Sequence, residues 1–262
     1  MSTRTELMNV VYTRTNEDTR LNRSRHGPLE RLTTMAYIRR HAPAGAKLLE
    51  VGAGTGRYAI PLAQEGYAVT AVELVQANLD VLRANAEGVT GLEAYQGDAL
   101  DLSRFADNTF DMTLLLGPMY HLYDEADVHR ALDEAIRVTR PGGVIMAAFL
   151  SVHAIMFNNY LNDRLAEGLA ENFDADGRVR HFEEQVFTGY DIAGLEALFA
   201  GKPVTHLTTV AADSVLELAE GRGDFSLSDE DFARFAAYHL STCEKRELLG
   251  ASSHVLYLCR KN

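Results

Sequence analysis

Carboxylates and glycines recur at the ends of short apolar segments in the first half of the chain. Glu50 stands just before three glycines at alternate positions, Gly52, Gly54 and Gly56. Glycine lets the backbone turn sharply and lets a ligand approach the main chain closely. The N–H groups at the start of a following helix can then donate to acceptor atoms of that ligand. Taken alone, the pattern is also typical of an ordinary strand–turn–helix corner.

Two further carboxylates and a glycine hold equivalent positions along the chain. Glu73 ends the second apolar segment, Asp98 follows the third, and Gly117 follows the fourth. A carboxylate at the end of a second strand can accept both hydroxyls of a ribose, and one after a third strand can accept from the amine of an adenine. A carboxylate beside the glycine turn suits an ammonium group. The set therefore predicts a pocket for an adenosine that carries a positively charged amino-acid group.

These residues must lie at one edge of a sheet if they are to form one pocket. Apolar runs predict five strands, over residues 47–51, 68–72, 92–96, 110–116 and 144–150. Apolar residues at helical spacing predict helices over residues 29–41, 57–65, 76–86 and 125–140. Nearly continuous apolar strands are typical of a parallel sheet buried on both faces. We therefore predict an α/β fold with a doubly wound, Rossmann-like sheet that binds its ligand beyond the carboxyl ends of the strands.

After residue 151 the regular alternation of apolar strands and amphipathic helices ends. Two late strands, over 204–210 and 254–260, are expected to pair antiparallel at a sheet edge, because no parallel signal remains. Residues 1–27 are polar and have few periodic apolar positions. We predict one domain over residues 1–262, with an N-terminal helical cap at 1–44, a cofactor-binding core at 45–151 and substrate-cap insertions at 152–187 and 213–250.

The amino-acid composition limits the kinds of molecule that we expect the protein to bind. The chain carries 25 Lys and Arg against 37 Asp and Glu, a net charge of −12, which disfavours a nucleic-acid partner. No apolar run approaches the roughly 20 residues of a membrane helix, and no apolar leader is present, so we expect no membrane partner and a cytoplasmic location. Cys243 and Cys259 stand in no ligand spacing, so we expect no metal site.

Five segments between residues 45 and 150 resemble, in order and spacing, the successive motifs of the class I S-adenosylmethionine-dependent methyltransferases. They are LLEVGAGTG, VTAVE, QGDAL, FDMTLLLGPMYHL and RPGG. The tail is similar to a group of small bacterial methyltransferase-domain proteins. The resemblance implies a seven-stranded sheet, mostly parallel with an antiparallel edge hairpin. It also implies S-adenosyl-L-methionine as cofactor and S-adenosyl-L-homocysteine as product.

The resemblance also implies roles for individual residues. Glu50 would order the ammonium of the cofactor, Glu73 would hold its ribose, and Asp98 would contact its adenine. The full set expected at the cofactor is Glu50, Gly52, Ala53, Gly54, Gly56, Tyr58, Glu73, Leu74, Asp98, Ala99, Leu116 and Gly117. Either Tyr12 or Arg20 could close over the ligand from the N-terminal segment.

Residues that follow the fourth strand are candidates for catalysis. Methyl transfer from a sulfonium is a displacement in which a base is needed only if the acceptor begins protonated. His121 is the first candidate for that base and Tyr120 the second, although His121 could equally shape the pocket. Tyr123, His153 and Phe157 are expected to contact the acceptor.

The acidic balance and the two insertions favour a small-molecule methyl acceptor in a lidded pocket. The accepting atom, O, N, S or C, stays open, and the protein is expected to be a monomer or homodimer. A non-catalytic sensor or regulatory protein that binds S-adenosylmethionine is an alternative. An NAD(P)-dependent oxidoreductase is disfavoured, because Arg57 stands where the dinucleotide fingerprint wants a small residue and Glu50 would repel a pyrophosphate.

Overall fold

An eight-stranded sheet runs through the centre of the computed structural model, which describes residues 3–14, 24–183 and 185–262. Its strands are β1 (Lys47–Val51), β2 (Ala68–Glu73), β3 (Leu92–Gln96), β4 (Phe110–Leu115), β5 (Thr139–Ser151), β6 (Gly189–Tyr190), β7 (Val204–Ala211) and β8 (His254–Lys261). In space the order is β3-β2-β1-β4-β5-β8-β7, and the short β6 pairs with the end of β5. The strands β1 to β6 pair in parallel, whereas β8 runs antiparallel to both β5 and β7. The predicted doubly wound sheet with an antiparallel edge is confirmed.

Helices cover both faces of this sheet. They are α1 (Thr3–Arg14), α2 (His26–His41), α3 (Ala59–Gln64), α4 (Gln76–Asn85), α5 (Glu125–Val138), α6 (Val152–Ile155), α7 (Leu165–Asn172), α8 (Ile192–Ala197), α9 (Leu216–Glu220), α10 (Asp229–Thr242) and α11 (Arg246–Leu249). A 3₁₀ turn over Pro118–His121 follows β4, and a π-helical turn over Met156–Tyr160 follows α6. Within the described ranges, no helix is both long enough and apolar enough to cross a membrane.

The core consists of two apolar layers, one on each face of the sheet. Successive side chains of a strand point to opposite faces, so neighbours in sequence enter different layers. Leu48 and Leu114 pack in the first layer, and Leu49 and Leu115 in the second. All four are fully buried, which explains why the central strands read as continuous apolar runs.

The chain order reverses at β1, which pairs with β2 on one side and β4 on the other. A crevice opens at such a point, beyond the carboxyl ends of the two strands. The turns that follow β1 and β4 approach each other closely there. Gly52 has a φ of +78°, and a Cβ built on it would lie 2.7 Å from Cδ of Pro118. Only glycine fits this position without displacing a neighbour.

Residues 152–172 do not form one continuous helix, because the π-helical turn separates α6 from α7 and lets α7 fold back onto it. Gly168 lies directly against the ring of Tyr160, and a Cβ there would lie 2.3 Å from Cγ of that ring. Helix α1 lies in the segment predicted as a helical cap, and it forms in a polar stretch without a periodic apolar signal.

Substitution at Gly52 is expected to destabilise the fold more than substitution at Gly66. Both glycines have a positive φ, so alanine at either position adds left-handed backbone strain of about 1–2 kcal/mol. At Gly66 the added Cβ meets nothing within 4 Å, whereas at Gly52 it meets the rigid ring of Pro118. Overpacking should add about 1–3 kcal/mol to the cost of Gly52→Ala alone. Urea unfolding of the two variants measures the difference, and equal losses of stability would contradict the close contact.

Candidate cofactor and active site

A cavity of about 600 Å³ opens beyond the carboxyl ends of β1, β2 and β4, and its size is typical of small-molecule sites. The residues predicted for the cofactor line it with one exception: they are Glu50, Gly52, Ala53, Gly54, Tyr58, Glu73, Leu74, Asp98, Ala99, Leu116 and Gly117. The exception is Gly56, where a Cβ would instead meet Ile60 at 2.8 Å. Gly56 therefore serves the packing of the turn against the helices behind it.

Glu50 is a buried acid in the cavity wall. The residue is 1% exposed, and its Oε2 atom has no hydrogen-bond partner among the described residues. Burial, assisted by the negative charge of Glu73, raises the pKa of Glu50 to about 8. A carboxyl with an unfilled acceptor position in a cavity fits a cationic donor, because the cation would supply both the missing hydrogen bond and the opposite charge.

Glu73 fixes the shape of the glycine turn. Its Oε2 accepts from the N–H of Gly54 at 2.8 Å, and its Oε1 accepts from the N–H of Val75 at 2.8 Å. The space above Gly54 is open, since a Cβ there would meet nothing within 4 Å. A ligand can therefore approach the backbone at Gly54 beside a carboxylate that is held in place by two amides.

Helix α1 crosses the cavity and contacts the site with one face. Arg4, Met8 and Tyr12 are spaced four residues apart, and all three line the cavity. Arg4 forms an ion pair with Asp98, whose Oδ1 also accepts from the N–H of Leu100 at 3.1 Å. Of the two N-terminal candidates, Tyr12 lies in the cavity and Arg20 lies outside the described residues.

His121 binds two separate segments of the chain. Its Nδ1 lies 2.7 Å from the carbonyl oxygen of Val186, and its Nε2 lies 2.5 Å from the hydroxyl of Tyr12. A carbonyl only accepts, so we assign the ring proton to Nδ1, and Nε2 then accepts from Tyr12. Burial, with a contribution from Arg4, lowers the pKa of His121 to about 4. The ring is therefore neutral near neutral pH, and both of its nitrogens are engaged.

Tyr120 lies beside His121 in the cavity wall. Its hydroxyl donates to the carbonyl oxygen of Leu116 at 3.0 Å. Its ring lies 4.9 Å from that of His121 and 6.1 Å from that of His254. The structure thus places both catalytic candidates in the cavity, with Tyr120 between two histidines.

The residues predicted to bind the acceptor lie outside the lining of the cavity. None of the three predicted side chains, Tyr123, His153 and Phe157, is among those that line the cavity. Phe157 is 41% exposed. For Phe157 the physical reason is the π-helical turn, which contains this residue and changes the helical spacing of the segment. The residues that line the cavity there are Asn158, Asn159 and Tyr160, joined by Phe182, Gln185 and Phe187.

Sequence reasoning missed a second pair of polar residues, Asp213 and His254. Oδ2 of Asp213 lies 2.7 Å from Nδ1 of His254, and His254 lines the cavity. With Glu30 they form the one described group of side chains whose ligand atoms, within 4.8 Å of one another, could share a metal ion. Asp213 and His254 are far apart in sequence and match no local motif. The available signal was that each flanks a late strand at the carboxyl edge of the sheet.

Comparison with known proteins identifies the central segment. Residues 49–147 match the methyltransferase-domain family. A demethylmenaquinone methyltransferase of Clavibacter sepedonicus is 34% identical over 118 residues, which cover 45% of this chain and 46% of that protein. A ubiquinone biosynthesis O-methyltransferase of Methylocella silvestris is 33% identical over 136 residues, 49% of this chain and 48% of that protein. The chain thus spans about half the length of these curated relatives.

The fold is shared over almost the whole chain. The crystal structure of the PH0226 protein from Pyrococcus horikoshii OT3 superimposes with a TM-score of 0.62 at 17% identity, over 97% of this chain and 99% of that one. The family match, in contrast, covers the segment that supplies the glycine turn and the three strand-end carboxylates of the cavity. The central segment is thus similar in sequence to methyltransferase domains, and almost the whole chain shares its fold with the Pyrococcus horikoshii protein.

Proposed function

We propose that the protein transfers the methyl group of S-adenosylmethionine to a small-molecule acceptor held in the same cavity. The observation that carries this proposal is the buried carboxyl of Glu50, whose Oε2 lacks a partner among the described residues. The cofactor of the family bears an ammonium group, which is the donor that this position requires. When bound, S-adenosylmethionine supplies its methyl group as an electrophile.

The residues of the chain would orient the two reactants and exclude water. Glu50 would accept from the ammonium, Glu73 would face the ribose, and Asp98 would face the adenine. Gly54 leaves the space in which the amino-acid part can lie against the backbone. Alignment of acceptor and methyl group can by itself contribute on the order of 7 kcal/mol or more.

We further propose that the segments outside the core cap this cavity. Each of the predicted caps contributes to its lining, with Tyr12 from residues 1–44, Phe187 from residues 152–187 and Glu217 from residues 213–250. A cavity closed in this way suits a small acceptor and strengthens electrostatic contacts inside it.

The Glu50→Gln variant is expected to bind S-adenosylhomocysteine more weakly than the wild type. The amide oxygen can still accept a hydrogen bond, but the variant loses the charge that would pair with the ammonium. A charged hydrogen bond is worth about 1.5–3 kcal/mol, so the dissociation constant should rise by roughly 10- to 150-fold. Calorimetry measures this, with the exposed Glu87→Gln variant as control. Unchanged affinity in Glu50→Gln would argue against the ammonium site.

The same variant is expected to be more stable than the wild type without ligand, by an amount that depends on pH. The folded pKa of Glu50, about 8, lies above its ordinary value of 4.5, so the folded protein retains a proton that the unfolded chain releases. Between these values the wild type should lose stability relative to Glu50→Gln by at most about 1.4 kcal/mol per pH unit. Above about pH 8 the difference should become constant. Urea unfolding from acid to mildly alkaline pH measures it, and parallel stability curves for the two proteins would contradict a retained proton.

A transfer assay separates the enzyme from the sensor alternative. The wild type is incubated with methyl-labelled S-adenosylmethionine and a panel of hydroxyl, amine, thiol and activated-carbon acceptors. We expect label to appear in at least one acceptor, with S-adenosylhomocysteine as the co-product. Binding of S-adenosylhomocysteine without transfer to any acceptor would support the sensor, and absence of binding would exclude both functions.

A further inference from the structure

We infer that His254 is the general base of the reaction, held by Asp213 as a positioning residue, and that the methyl acceptor is a hydroxyl group of an alcohol or phenol. This inference rests on the proposed methyl transfer and extends it to the acceptor. It assigns the base to His254 in place of His121, because Nδ1 of His254 faces a carboxylate whereas Nδ1 of His121 faces a backbone carbonyl.

The antiparallel edge of the sheet brings the two residues together. His254 is the first residue of β8 and pairs with Leu150, at the carboxyl end of β5. Asp213 follows the end of β7, whose last residue, Ala211, pairs with Val255. Both side chains therefore stand at the edge where the carboxyl ends of the parallel strands form the cavity.

The contacts of Asp213 determine which nitrogen of His254 bears the proton. Burial alone would raise the pKa of Asp213, but the charge of His254 and hydrogen bonds from His254 and Ser252 outweigh it and lower that pKa. The ionised carboxylate only accepts, so its 2.7 Å contact places the proton of His254 on Nδ1. The basic lone pair of the neutral ring then belongs to Nε2.

A second set of bonds fixes the carboxylate itself. Oδ1 of Asp213 accepts from the hydroxyl of Ser252 at 2.6 Å and from the backbone N–H of His254 at 3.1 Å. The residue is completely buried, so the carboxylate is shielded from bulk water. This is the arrangement in which a carboxylate orients an imidazole and stabilises the imidazolium that it becomes.

A second carboxyl group lies close to His254. Oε2 of Glu30 lies 3.7 Å from Nδ1 of His254, on the same side as Asp213. Two carboxylates next to one imidazole stabilise the charge that proton transfer creates. The titratable groups that face the pair, directly or through one neighbour, are Glu30, Tyr58, Tyr120, Glu217 and His239.

Two buried amide oxygens in the cavity wall indicate which hydrogen-bonding groups the methyl acceptor carries. Oδ1 of Asn158 and Oε1 of Gln185 are buried at the cavity and have no partner in the described part of the chain. The Nδ2 of Asn158 donates to Glu217 at 2.9 Å and to Ser253 at 3.0 Å, which fixes the orientation of that amide. Gln185 is only 7% exposed. Since such oxygens only accept, the ligand must bring hydrogen-bond donors, as a molecule with further hydroxyl groups does.

The step balances with the cofactor as the only co-reactant. The acceptor oxygen forms a bond to the methyl carbon, and the carbon–sulfur bond breaks with its electron pair going to sulfur. The hydroxyl proton passes to Nε2 of His254, which leaves a methyl ether, S-adenosylhomocysteine and an imidazolium beside Asp213. A hydroxyl benefits most from such a base, because a neutral amine already presents its lone pair.

The first part of the test needs no acceptor. Nitrogen-15 NMR of the histidine side chains, assigned by the signals lost in His254→Gln, should show His254 with its proton on Nδ1 at mildly alkaline pH. Calorimetry should show that His254→Gln binds S-adenosylhomocysteine within about threefold of the wild type, since a base does not hold the cofactor. A proton on Nε2 would overturn the inference, as would a tightly bound divalent metal that His254 coordinates.

The second part measures transfer to the acceptor panel. Hydroxyl acceptors should be methylated, and kcat should fall about 100- to 10,000-fold in His254→Gln, the usual contribution of a general base. His129 is half-buried and lies outside the cavity lining, so His129→Gln is the matched control and should keep wild-type kcat. In Asp213→Asn, the acidic limb of the pH–rate profile should move to lower pH, because the imidazolium loses its counter-charge.

The outcomes distinguish this inference from the proposed function. Transfer only to amines, thiols or carbon, or an unchanged kcat in His254→Gln, would overturn the role of His254 and leave methyl transfer intact. Absence of all transfer in a wild type that binds S-adenosylhomocysteine would refute the proposed function, and the base would fall with it. An unmoved acidic limb in Asp213→Asn would make Asp213 structural and overturn its part.

Discussion

A single buried carboxyl group at the end of β1 sets the conditions for the rest of the site. Glu50 lies at the centre of the sheet, shielded from water, next to a second carboxylate at the end of β2. Burying an acid without a counter-charge is unfavourable, and the structure responds by favouring its neutral form. A ligand that brings a positive charge removes this penalty. The preference of the cavity for a cationic ligand is thus a property of the sheet.

The local part of this site could be predicted from the sequence. Each apolar run in this part of the sequence identifies a strand. Four site residues lie at the end of such a strand or within a few residues of it: Glu50, Gly54, Glu73 and Asp98. Once those strands are placed side by side, the positions of the residues follow from the parallel topology. The fold class follows from the same apolar runs, because a strand that is apolar on both sides is buried from water only in a sheet that is covered on both faces.

The rest depends on contacts between distant segments. The face of α1 that enters the cavity mixes a cation, a methionine and a tyrosine, so it has no apolar periodicity to detect. Phe157 was predicted to contact the acceptor, but it lies in a π-helical turn that changes the helical spacing, and the sequence does not reveal that turn. Asp213 and His254 meet only because two antiparallel strands bring their ends to the same edge. No local stretch of sequence shows that these two residues are in contact.

Two histidines in one cavity illustrate how hydrogen-bond partners separate similar side chains. His121 donates a hydrogen bond from Nδ1 to a backbone carbonyl and accepts one at Nε2 from Tyr12, so it joins α1 to the segment before β6. His254 faces a carboxylate, which can stabilise a positive charge on the ring where a carbonyl does so less. The position of His121 after the fourth strand suggested it as the base. The carboxylate partner of His254 favours His254 for that role.

The reversed direction of β8 has a practical consequence for labelling. Because this strand begins at the cavity, it ends at the opposite edge of the sheet. Lys261 lies seven residues beyond His254 in that strand, roughly 23 Å away at the usual rise of a β-strand. A fluorophore or surface tether attached to an exposed residue near that end of the strand, such as position 260, would report on the protein in binding measurements without occupying the space in which the cofactor and acceptor meet.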